Sequence, residues 1–316
     1  MKKTEKSIVN KIFVTIVCIV LALYALTIIG ALLWGLLTSL KSYWDINMDK
    51  NVIGFPNLNE TVMWNSRDEF LKFANYTEVF KNFEFERVVA FYIGDKRVQH
   101  MSRSNIGTML VNTVLLSGVG AFLQSFVPAI MAYAVAKFRF AYGKVVYALA
   151  LFAMIMPLVG TYPSEITLLR NLGIYDTLMG YFLQKCNFVG MYFFVYYGFY
   201  KSLPDSYTEA AEIDGASYFH CLIRIILPLS VKMISSVFLI QFVHFWNDYQ
   251  TAYLYMPTYP TLAYGVWFLT FGSNQSLTQL PYRVAGAMTL AVPIIIVFVF
   301  LKDKLMGNVT MGGLKQ

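Results

Sequence analysis

Six long apolar segments alternate with polar connections along the chain. They cover residues 12–40, 108–136, 145–168, 179–200, 228–248 and 284–301. A helix rises 1.5 Å per residue, so about 20 residues cross a bilayer core that is about 30 Å thick. Only helices and closed barrels satisfy their backbone hydrogen bonds in lipid, and segments of this length suit helices. The pattern predicts an all-α polytopic membrane protein with six transmembrane helices.

The first apolar segment, residues 12–40, follows a basic start that includes Lys2, Lys3 and Lys6. A basic start before an apolar run is also typical of a secretory signal peptide. The apolar part of a signal peptide has only about 7–15 residues and ends at small residues. The segment in this chain is far longer and lacks an A-x-A site. We therefore expect a retained first span.

Lysine and arginine are unevenly distributed between the two sets of connections. The N-terminus and the connections 137–144, 201–227 and 302–316 are basic, whereas the short opposite connections carry only Arg170 and Arg283, offset by acidic residues. Short cytoplasmic loops of membrane proteins are enriched in these two residue types. The bias predicts a multi-pass protein of the cell (plasma or inner) membrane with both termini and the 201–227 connection in the cytoplasm.

The connection at residues 41–107 is long and polar, with nine basic and nine acidic residues. Residues 83–100 alternate apolar and polar side chains around Gly94 and Asp95, which predicts a β-hairpin. Residues 68–81 have an amphipathic helical pattern. Two interpretations of this enlarged extracellular loop remain open: a cap that covers the bundle, or a surface on which an extracellular partner docks. Deleting the hairpin separates them, because full transport activity would exclude docking.

The composition agrees with a membrane protein and excludes other classes. The chain is 57% hydrophobic and 14% charged, with a mean hydropathy of +0.54, whereas soluble domains average about 25% charged residues. Its net charge of +7 comes from basic residues that flank the apolar segments, so no nucleic acid is expected as a partner. The three cysteines are far apart and the three histidines lack ligand spacing, so neither disulfides nor a metal site are predicted.

No catalytic pattern is recognisable in the sequence. It lacks a G-x-x-x-x-G-K-[ST] phosphate loop and a Ser-His-Asp arrangement, so we expect no catalytic residues and no cofactor bound by this chain itself. Gly118 and Gly120 form a glycine pair inside an apolar segment and predict close helix packing. Ionisable residues in the spans are few. Lys185 either lines a substrate path or extends its amine to the membrane surface, and Asp248 lies at a span end.

A small acidic insert, Glu209-Ala-Ala-Glu-Ile-Asp-Gly-Ala-Ser217, lies between two apolar segments. The sequence predicts a helix that begins with a capping box of Ser206 and Glu209 and ends at Gly215, where glycine permits a positive φ. Ser217 is predicted to cap a second short helix that ends before Pro228. A helix of two turns is marginal in water. The first helix therefore either inserts into a groove of another protein or packs beneath its own bundle.

The pattern Glu209-Ala-Ala-x-x-Asp214-Gly215-Ala216, followed by Leu227-Pro228-Leu229, resembles the EAA loop of ABC-importer permeases. The likeness extends over about residues 75–316. Further motifs are similar to the carbohydrate-uptake branch of that family: Asn112-Thr-Val, Ala132 to Phe140, Met156-Pro157, Trp246-Asn247-Asp248, Pro293 and Leu305 to Lys315. The last of these resembles the tail of the maltose-type second permease subunit. The chain departs from the family in its larger first outer loop and in lacking a proline at Ser230 to Met233.

The resemblance implies a type I ABC-importer permease core with a cytoplasmic EAA coupling helix. In that family the loop contacts the ATPase, which points here to Glu209, Ala210, Ala211, Asp214, Gly215, Ala216, Leu227 and Pro228. Gly215 would make the turn, and Glu209 would anchor the helix and meet the ATPase. The implied partners are a second homologous permease subunit, two cytoplasmic ATPase subunits that bind ATP and Mg²⁺, and an extracellular solute-binding protein.

These expectations combine into an organisation and a function. Residues 1–40 form the N-terminus and first span, 41–107 the extracellular loop, 108–305 the permease core with coupling loop 202–227, and 306–316 a cytoplasmic tail. We expect half of the translocation path of an importer for a sugar or oligosaccharide, with Asn112, Trp246 and Asn247 as candidates for lining it. The alternatives are an ATP-independent carrier or channel, an ABC permease for another solute, and a scaffold whose helix only binds a partner.

Overall fold

A computed structural model describes residues 2–47, 50–56, 71–93, 96–138, 142–156, 160–271 and 279–309. The helices and strands are α1 (Lys2–Ser39), α2 (Tyr43–Asn47), α3 (Ala74–Asn82), β1 (Glu84–Ile93), β2 (Lys96–Asn105), α4 (Ile106–Lys137), α5 (Gly143–Ile155), α6 (Thr161–Asn171), α7 (Leu178–Lys185), α8 (Met191–Ser202), α9 (Ser206–Ile213), α10 (Tyr218–Cys221), α11 (Leu227–Trp246), α12 (Gln250–Leu254), α13 (Leu262–Phe271) and α14 (Leu280–Val309). They are grouped into two compact units, Met1–Phe83 with Phe268–Val292 and Glu84–Trp267 with Pro293–Gln316.

Four helices in the described part of the chain are long and apolar enough to cross a membrane. They are Asn10–Ser39, Ile106–Lys137, Tyr218–Trp246 and Leu280–Phe300. These helices correspond to four of the six predicted segments. The other two predicted segments, residues 145–168 and 179–200, are each divided between two shorter helices.

The two divisions follow from local backbone chemistry. Met156 ends α5 with an extended ψ of 118°, because the residue before a proline disfavours the helical region and Pro157 comes next. Gly160 precedes α6 with φ +76°, a conformation that glycine adopts without strain. Gly190, with φ −171°, is the extended residue before α8. Both segments are mostly apolar, so the hydropathy pattern did not predict these breaks.

The core of the second unit lies where α4 packs against α8 and α11. Ala129 and Ala132 on α4 are fully buried and leave room for large aromatic side chains of α8. Tyr133 of α4 meets Tyr200 of α8 edge to face, with ring centres 5.6 Å apart. The hydroxyls of Tyr200 and of Ser230 on α11 are 3.3 Å apart, within hydrogen-bond distance. Small residues that let helix backbones approach closely are typical of membrane helices.

Gly120 lies on α4 where side chains of α7 and α11 approach it closely. A Cβ atom at this position would lie 2.4 Å from the Tyr181 hydroxyl and 3.1 Å from the Phe245 ring. The same Tyr181 hydroxyl donates a hydrogen bond of 2.6 Å to the carbonyl oxygen of Leu116. At Gly118 an added Cβ would meet nothing within 4 Å. The predicted close packing is confirmed at Gly120 and wrong at Gly118.

We expect Gly120→Ala to lower the free energy of unfolding by about 1–3 kcal/mol, the usual cost of adding a group to a packed core. The new methyl group would displace Tyr181 and break its hydrogen bond to Leu116. Thermal unfolding of the purified protein in detergent measures the change. Gly118→Ala, on the same helix, is the matched control and is expected to unfold at the wild-type temperature. Equal unfolding temperatures for the two variants would contradict the close approach at Gly120.

In the first unit, a hydrogen-bonded cluster follows the end of α1. Asn75 of α3 is buried, and its Nδ2 donates to the carbonyl oxygens of Ser39 and Lys41, each at 2.8 Å. The Lys41 side chain is buried too, and its Nζ donates to the carbonyl oxygens of Asn51 at 2.7 Å and Val52 at 3.2 Å. Burial lowers the pKa of Lys41, because water no longer solvates its ammonium group.

The predicted helix and hairpin of the 41–107 connection are described in part. α3 begins at Ala74, after the predicted start, and residues 68–70 lie outside the described part of the chain. β1 and β2 pair antiparallel, from Glu84 opposite Asn105 to Ile93 opposite Lys96. The predicted turn residues 94 and 95 also lie outside the described part.

Candidate functional site

The acidic insert forms the short helix α9, which ends in a glycine turn. Gly215 has φ +74°. Its N–H donates to the carbonyl oxygen of Glu212 at 3.0 Å, and the N–H of Ala216 donates to that of Ala211 at 2.9 Å. Together these two bonds form a Schellman motif, which satisfies carbonyl groups at the end of a helix. Gly215 therefore has the positive φ that the sequence predicted.

The beginning of α9 differs from the prediction. The capping box of Ser206 and Glu209 is wrong, because Asp205 precedes the helix with a helical backbone and no side-chain cap, and Ser206 is already the first helical residue. A capping side chain requires an extended backbone at that position. The Asp205 carboxylate instead lies 2.6 Å from Nζ of Lys137, which also donates to the carbonyl oxygen of Leu203 at 2.6 Å. The end of α4 is thereby tied to the start of the insert.

A continuous helix follows the insert. Ser217 caps it as predicted, because its Oγ accepts the N–H of His220 at 3.3 Å. The predicted end before Pro228 is wrong: α10, a π-helical segment at Leu222–Ile226 and α11 run on without a break. A proline lacks an N–H and crowds the carbonyl four residues earlier. In the π-helical segment the Leu227 N–H reaches the carbonyl five residues earlier, and this wider turn accommodates the proline.

The insert has one buried side and one exposed side. Ala211 is 5% exposed and belongs to the core of α4, α8 and α11, so the bundle holds this short helix in place. Glu209, Ala210, Asp214 and Pro228 are exposed, whereas Ala216 and Leu227 are half-buried. Several large apolar side chains of the same region are exposed: Tyr207, Ile213, Tyr218 and Phe219. Exposed apolar groups beside carboxylates are typical of a protein-binding surface.

A second candidate site is a cavity of about 600 Å³ in the second unit. It is lined by Gln124 of α4, by residues of α6 and α7, and by the end of α11 with the segment that follows it. Its polar lining includes Glu165, Gln184, Lys185, Asn247 and Asp248. We call this space the polar cavity.

The charged side chains of the polar cavity are paired with one another or with polar neighbours. The Tyr255 hydroxyl donates to Oε2 of Glu165 at 2.6 Å, and Nε2 of Gln184 donates to the same oxygen at 3.3 Å. Nζ of Lys185 lies 3.8 Å from Oδ2 of Asp248. Burial, and then donation to the carboxylate, raises the pKa of the Tyr255 phenol, so this hydroxyl stays protonated and keeps its role as donor.

One of the three predicted path residues lines the polar cavity. Asn247 does so, with its Nδ2 donating to the carbonyl oxygen of Val243 at 2.9 Å. Trp246 is 3% exposed and stacks at a tilt on Phe242, with ring centres 5.6 Å apart. Asn112 instead bridges two parts of the bundle, because its Nδ2 donates to the carbonyl oxygen of Pro260 at 3.1 Å.

Sequence reasoning considered Lys185 and Asp248 separately and missed Glu165. The signal was a carboxylate within the apolar segment 145–168, since ionisable residues inside spans often mark a functional site. Pairing of Lys185 with Asp248 depends on side chains 63 positions apart in the chain, and no local pattern predicts it.

The described residues contain no group of three or more His, Cys, Asp and Glu side chains that could hold a metal ion. Cys18, Cys186 and Cys221 are free thiols. The Tyr133 hydroxyl donates to the buried Sγ of Cys221 at 3.9 Å, a contact that belongs to the packing of the core.

Known proteins resemble this chain in sequence and in fold. A family model described as "Binding-protein-dependent transport system inner membrane component" matches residues 124–309, more than half of the chain. The melibiose/raffinose/stachyose import permease protein MelC of Bacillus subtilis is 25% identical over 215 residues, which cover 67% of this chain and 78% of that protein. The maltose/maltodextrin transport system permease protein MalG of Vibrio parahaemolyticus is 29% identical over 218 residues, 66% of this chain and 72% of that protein.

A solved structure extends the likeness to the fold. The crystal structure of a bacterial ABC transporter involved in the import of the acidic polysaccharide alginate has a TM-score of 0.68, at 21% identity, over 93% of this chain and 96% of that chain. The range matched by the family model contains the whole acidic insert and every described residue that lines the polar cavity.

Proposed function

Because the chain belongs to the family of binding-protein-dependent transport system inner membrane components, we propose that it is a permease subunit of an ATP-binding-cassette importer for a sugar or oligosaccharide. The family match over residues 124–309 is the observation that carries this proposal. The names of the two relatives refer to melibiose, raffinose, stachyose, maltose and maltodextrin, which supports a carbohydrate as the solute. The chain is a multi-pass transport subunit of the membrane and not an enzyme.

We assign coupling to the ATPase to the insert. Ala211 anchors α9 in the bundle while Glu209 remains exposed, so the helix is held from one side and accessible from the other. Gly215 sets the angle at which the chain leaves α9, since its positive φ closes the Schellman motif. Ala210, Asp214, Ala216, Leu227 and Pro228 complete the proposed coupling loop.

A continuous helix offers a mechanical link from the insert to the polar cavity. It begins at Tyr218, beside the insert, and ends at Trp246, next to two residues that line the cavity. At 1.5 Å per residue its 29 residues span about 43 Å. A movement imposed on the insert would therefore displace the cavity wall as well. Closure of the ATPase subunits on ATP would in this way shift the permease between inward-facing and outward-facing states.

The proposed assembly contains this chain, a second homologous permease, two cytoplasmic ATPase subunits that bind ATP and Mg²⁺, and an extracellular solute-binding protein. The family description itself refers to a binding protein. The distribution of lysine and arginine supports cytoplasmic N- and C-termini and a position of the insert on the same side as the proposed ATPase subunits.

Uptake by reconstituted vesicles tests the proposal. We expect vesicles that hold the complete complex to accumulate radiolabelled raffinose or maltodextrin only when the ATPase subunits, internal ATP and the binding protein are all present. Omission of ATP, or a non-hydrolysable analogue in its place, is the control and should reduce accumulation to background. ATP-independent accumulation at an equal rate would support a secondary carrier instead. No accumulation of any carbohydrate would contradict the sugar substrate.

A further inference from the structure

The polar cavity carries an excess of negative charge. Its lining contains two carboxylates, Glu165 and Asp248, and one ammonium group, that of Lys185. None of its other described lining residues is an Asp, Glu, Lys or Arg. A solute that bears a carboxylate would therefore enter a space with one more negative than positive formal charge, and Glu165 and Asp248 would repel that carboxylate.

Lys185 is already engaged and does not present a free positive charge to a solute. Its Nζ donates to Oγ1 of Thr251 at 3.1 Å and lies 3.8 Å from Oδ2 of Asp248. It also lies 4.8 Å from the centre of the Phe245 ring and 5.5 Å from that of Tyr181. Its side chain is 12% exposed. An incoming anion would have to replace Asp248 as the partner of this amine.

The cavity instead offers a solute the acceptor positions of a carboxylate, that of Glu165. Glu165 accepts from Tyr255 and Gln184 through Oε2 and also from the Thr161 side chain. A carboxylate has about four acceptor positions, so one remains for a solute. Sugar hydroxyls are donors and complement such groups. An ionised uronate carboxylate is an acceptor only and cannot donate to Glu165.

Aromatic rings complete the match to a sugar. Tyr162, Tyr249 and Tyr255 line the same cavity. The Tyr249 ring is held in place by stacking on Trp267, with ring centres 5.8 Å apart and an interplanar angle of 8°. Aromatic faces combine an apolar surface with a polar tip, which suits the C–H faces and hydroxyls of a pyranose.

We propose that the polar cavity selects neutral sugars, whose hydroxyls donate to Glu165, and rejects sugars that bear carboxylates. This inference rests on the proposed function. The chain shares its fold with the importer of the acidic polysaccharide alginate. By this inference the two proteins differ in the charge of their solutes.

Direct binding to the assembled complex, without its solute-binding protein, tests the selection. The probes are raffinose, a neutral trisaccharide, and trigalacturonate, an acidic one, titrated at low ionic strength against complex in lipid nanodiscs. We expect the wild-type complex to bind raffinose at least tenfold more tightly than trigalacturonate. Glu165→Gln removes one negative charge and keeps the acceptor for Tyr255, so it should strengthen trigalacturonate binding about tenfold. Because a neutral amide is a weaker acceptor than a carboxylate, the same change should weaken raffinose binding. Salt should reduce the discrimination by the wild-type complex, because it screens charge.

Glu78→Gln on α3, outside the cavity, is the matched control for loss of one negative charge and should leave both affinities unchanged. Equal affinities of the wild-type complex for the two trisaccharides would overturn the inference while leaving the proposed function intact. An unchanged trigalacturonate affinity in Glu165→Gln would also overturn it. If neither trisaccharide binds any variant and the vesicles accumulate neither raffinose nor maltodextrin nor any other carbohydrate, the proposed function fails, and the inference fails with it.

Discussion

Replacing Gly215 with proline is expected to reduce ATP-driven uptake to background while the subunit still reaches the membrane. Proline fixes φ near −65°, whereas Gly215 has φ +74°. The substitution also removes the N–H that donates to the carbonyl oxygen of Glu212, and it disfavours the near-helical backbone of Asp214, with φ −71° and ψ 1°. The Schellman motif could not form, and α9 would lose its end and its angle to the following helix.

The measurement compares uptake by vesicles with the amount of the subunit in the membrane fraction. Gly215→Asn is the matched control, because asparagine adopts positive φ more readily than other non-glycine residues and an added Cβ at this position would meet nothing within 4 Å. We expect this variant to keep most of the uptake. Wild-type uptake by Gly215→Pro would remove the coupling role from the turn. Equal loss in both variants would assign the effect to the added side chain and not to φ.

Glu209→Lys is expected to abolish uptake with a normal amount of protein in the membrane. Glu209 is exposed in the first turn of α9, where a negative charge is favoured by the helix dipole and a positive one is not. The change thus weakens a helix of 8 residues and reverses the charge of the surface that we assign to the ATPase. The expected signature is loss of substrate-stimulated ATP hydrolysis in the assembled complex.

Glu212→Lys controls for the reversal of charge. Glu212 is equally exposed, one turn later on α9, where the helix dipole favours a positive charge. We expect this variant to keep most of its uptake and ATP hydrolysis. Similar loss in both variants would mean that the overall charge of the helix, and not Glu209, determines coupling. Wild-type uptake by Glu209→Lys would contradict the role in coupling that we assign to Glu209.

Local chemistry made the turn at Gly215 and the cap at Ser217 predictable. Both depend on residues within a few positions of each other, and glycine and serine have specific backbone preferences there. The beginning of α9 was not predictable in the same way. Asp205, and not Ser206, precedes the helix, and its carboxylate pairs with Lys137, a residue 68 positions away.

The two segments that the sequence predicted as single spans show a second limit of sequence-based prediction, which concerns the ends of helices. Apolar composition predicts burial in lipid but does not predict where an apolar helix stops. Residues 145–168 and 179–200 are each divided between two helices. The breaks come from single residues with special backbone preferences, while most of the neighbouring side chains remain apolar. The opposite error occurred at Pro228, where the π-helical turn at Leu222–Ile226 allows the helix to continue.

The sequence by itself determined the class of the molecule, because the length and polarity of each segment set its preference for lipid or water. It also determined the glycine turn of the acidic insert, because the motif and the turn are contained in nine consecutive residues. The tertiary structure alone decided the composition of the polar cavity. Glu165, Lys185 and Asp248 come from different elements, and only packing brings their side chains together. Their charges interact through space, so the selectivity that we infer depends on distances that no local pattern contains.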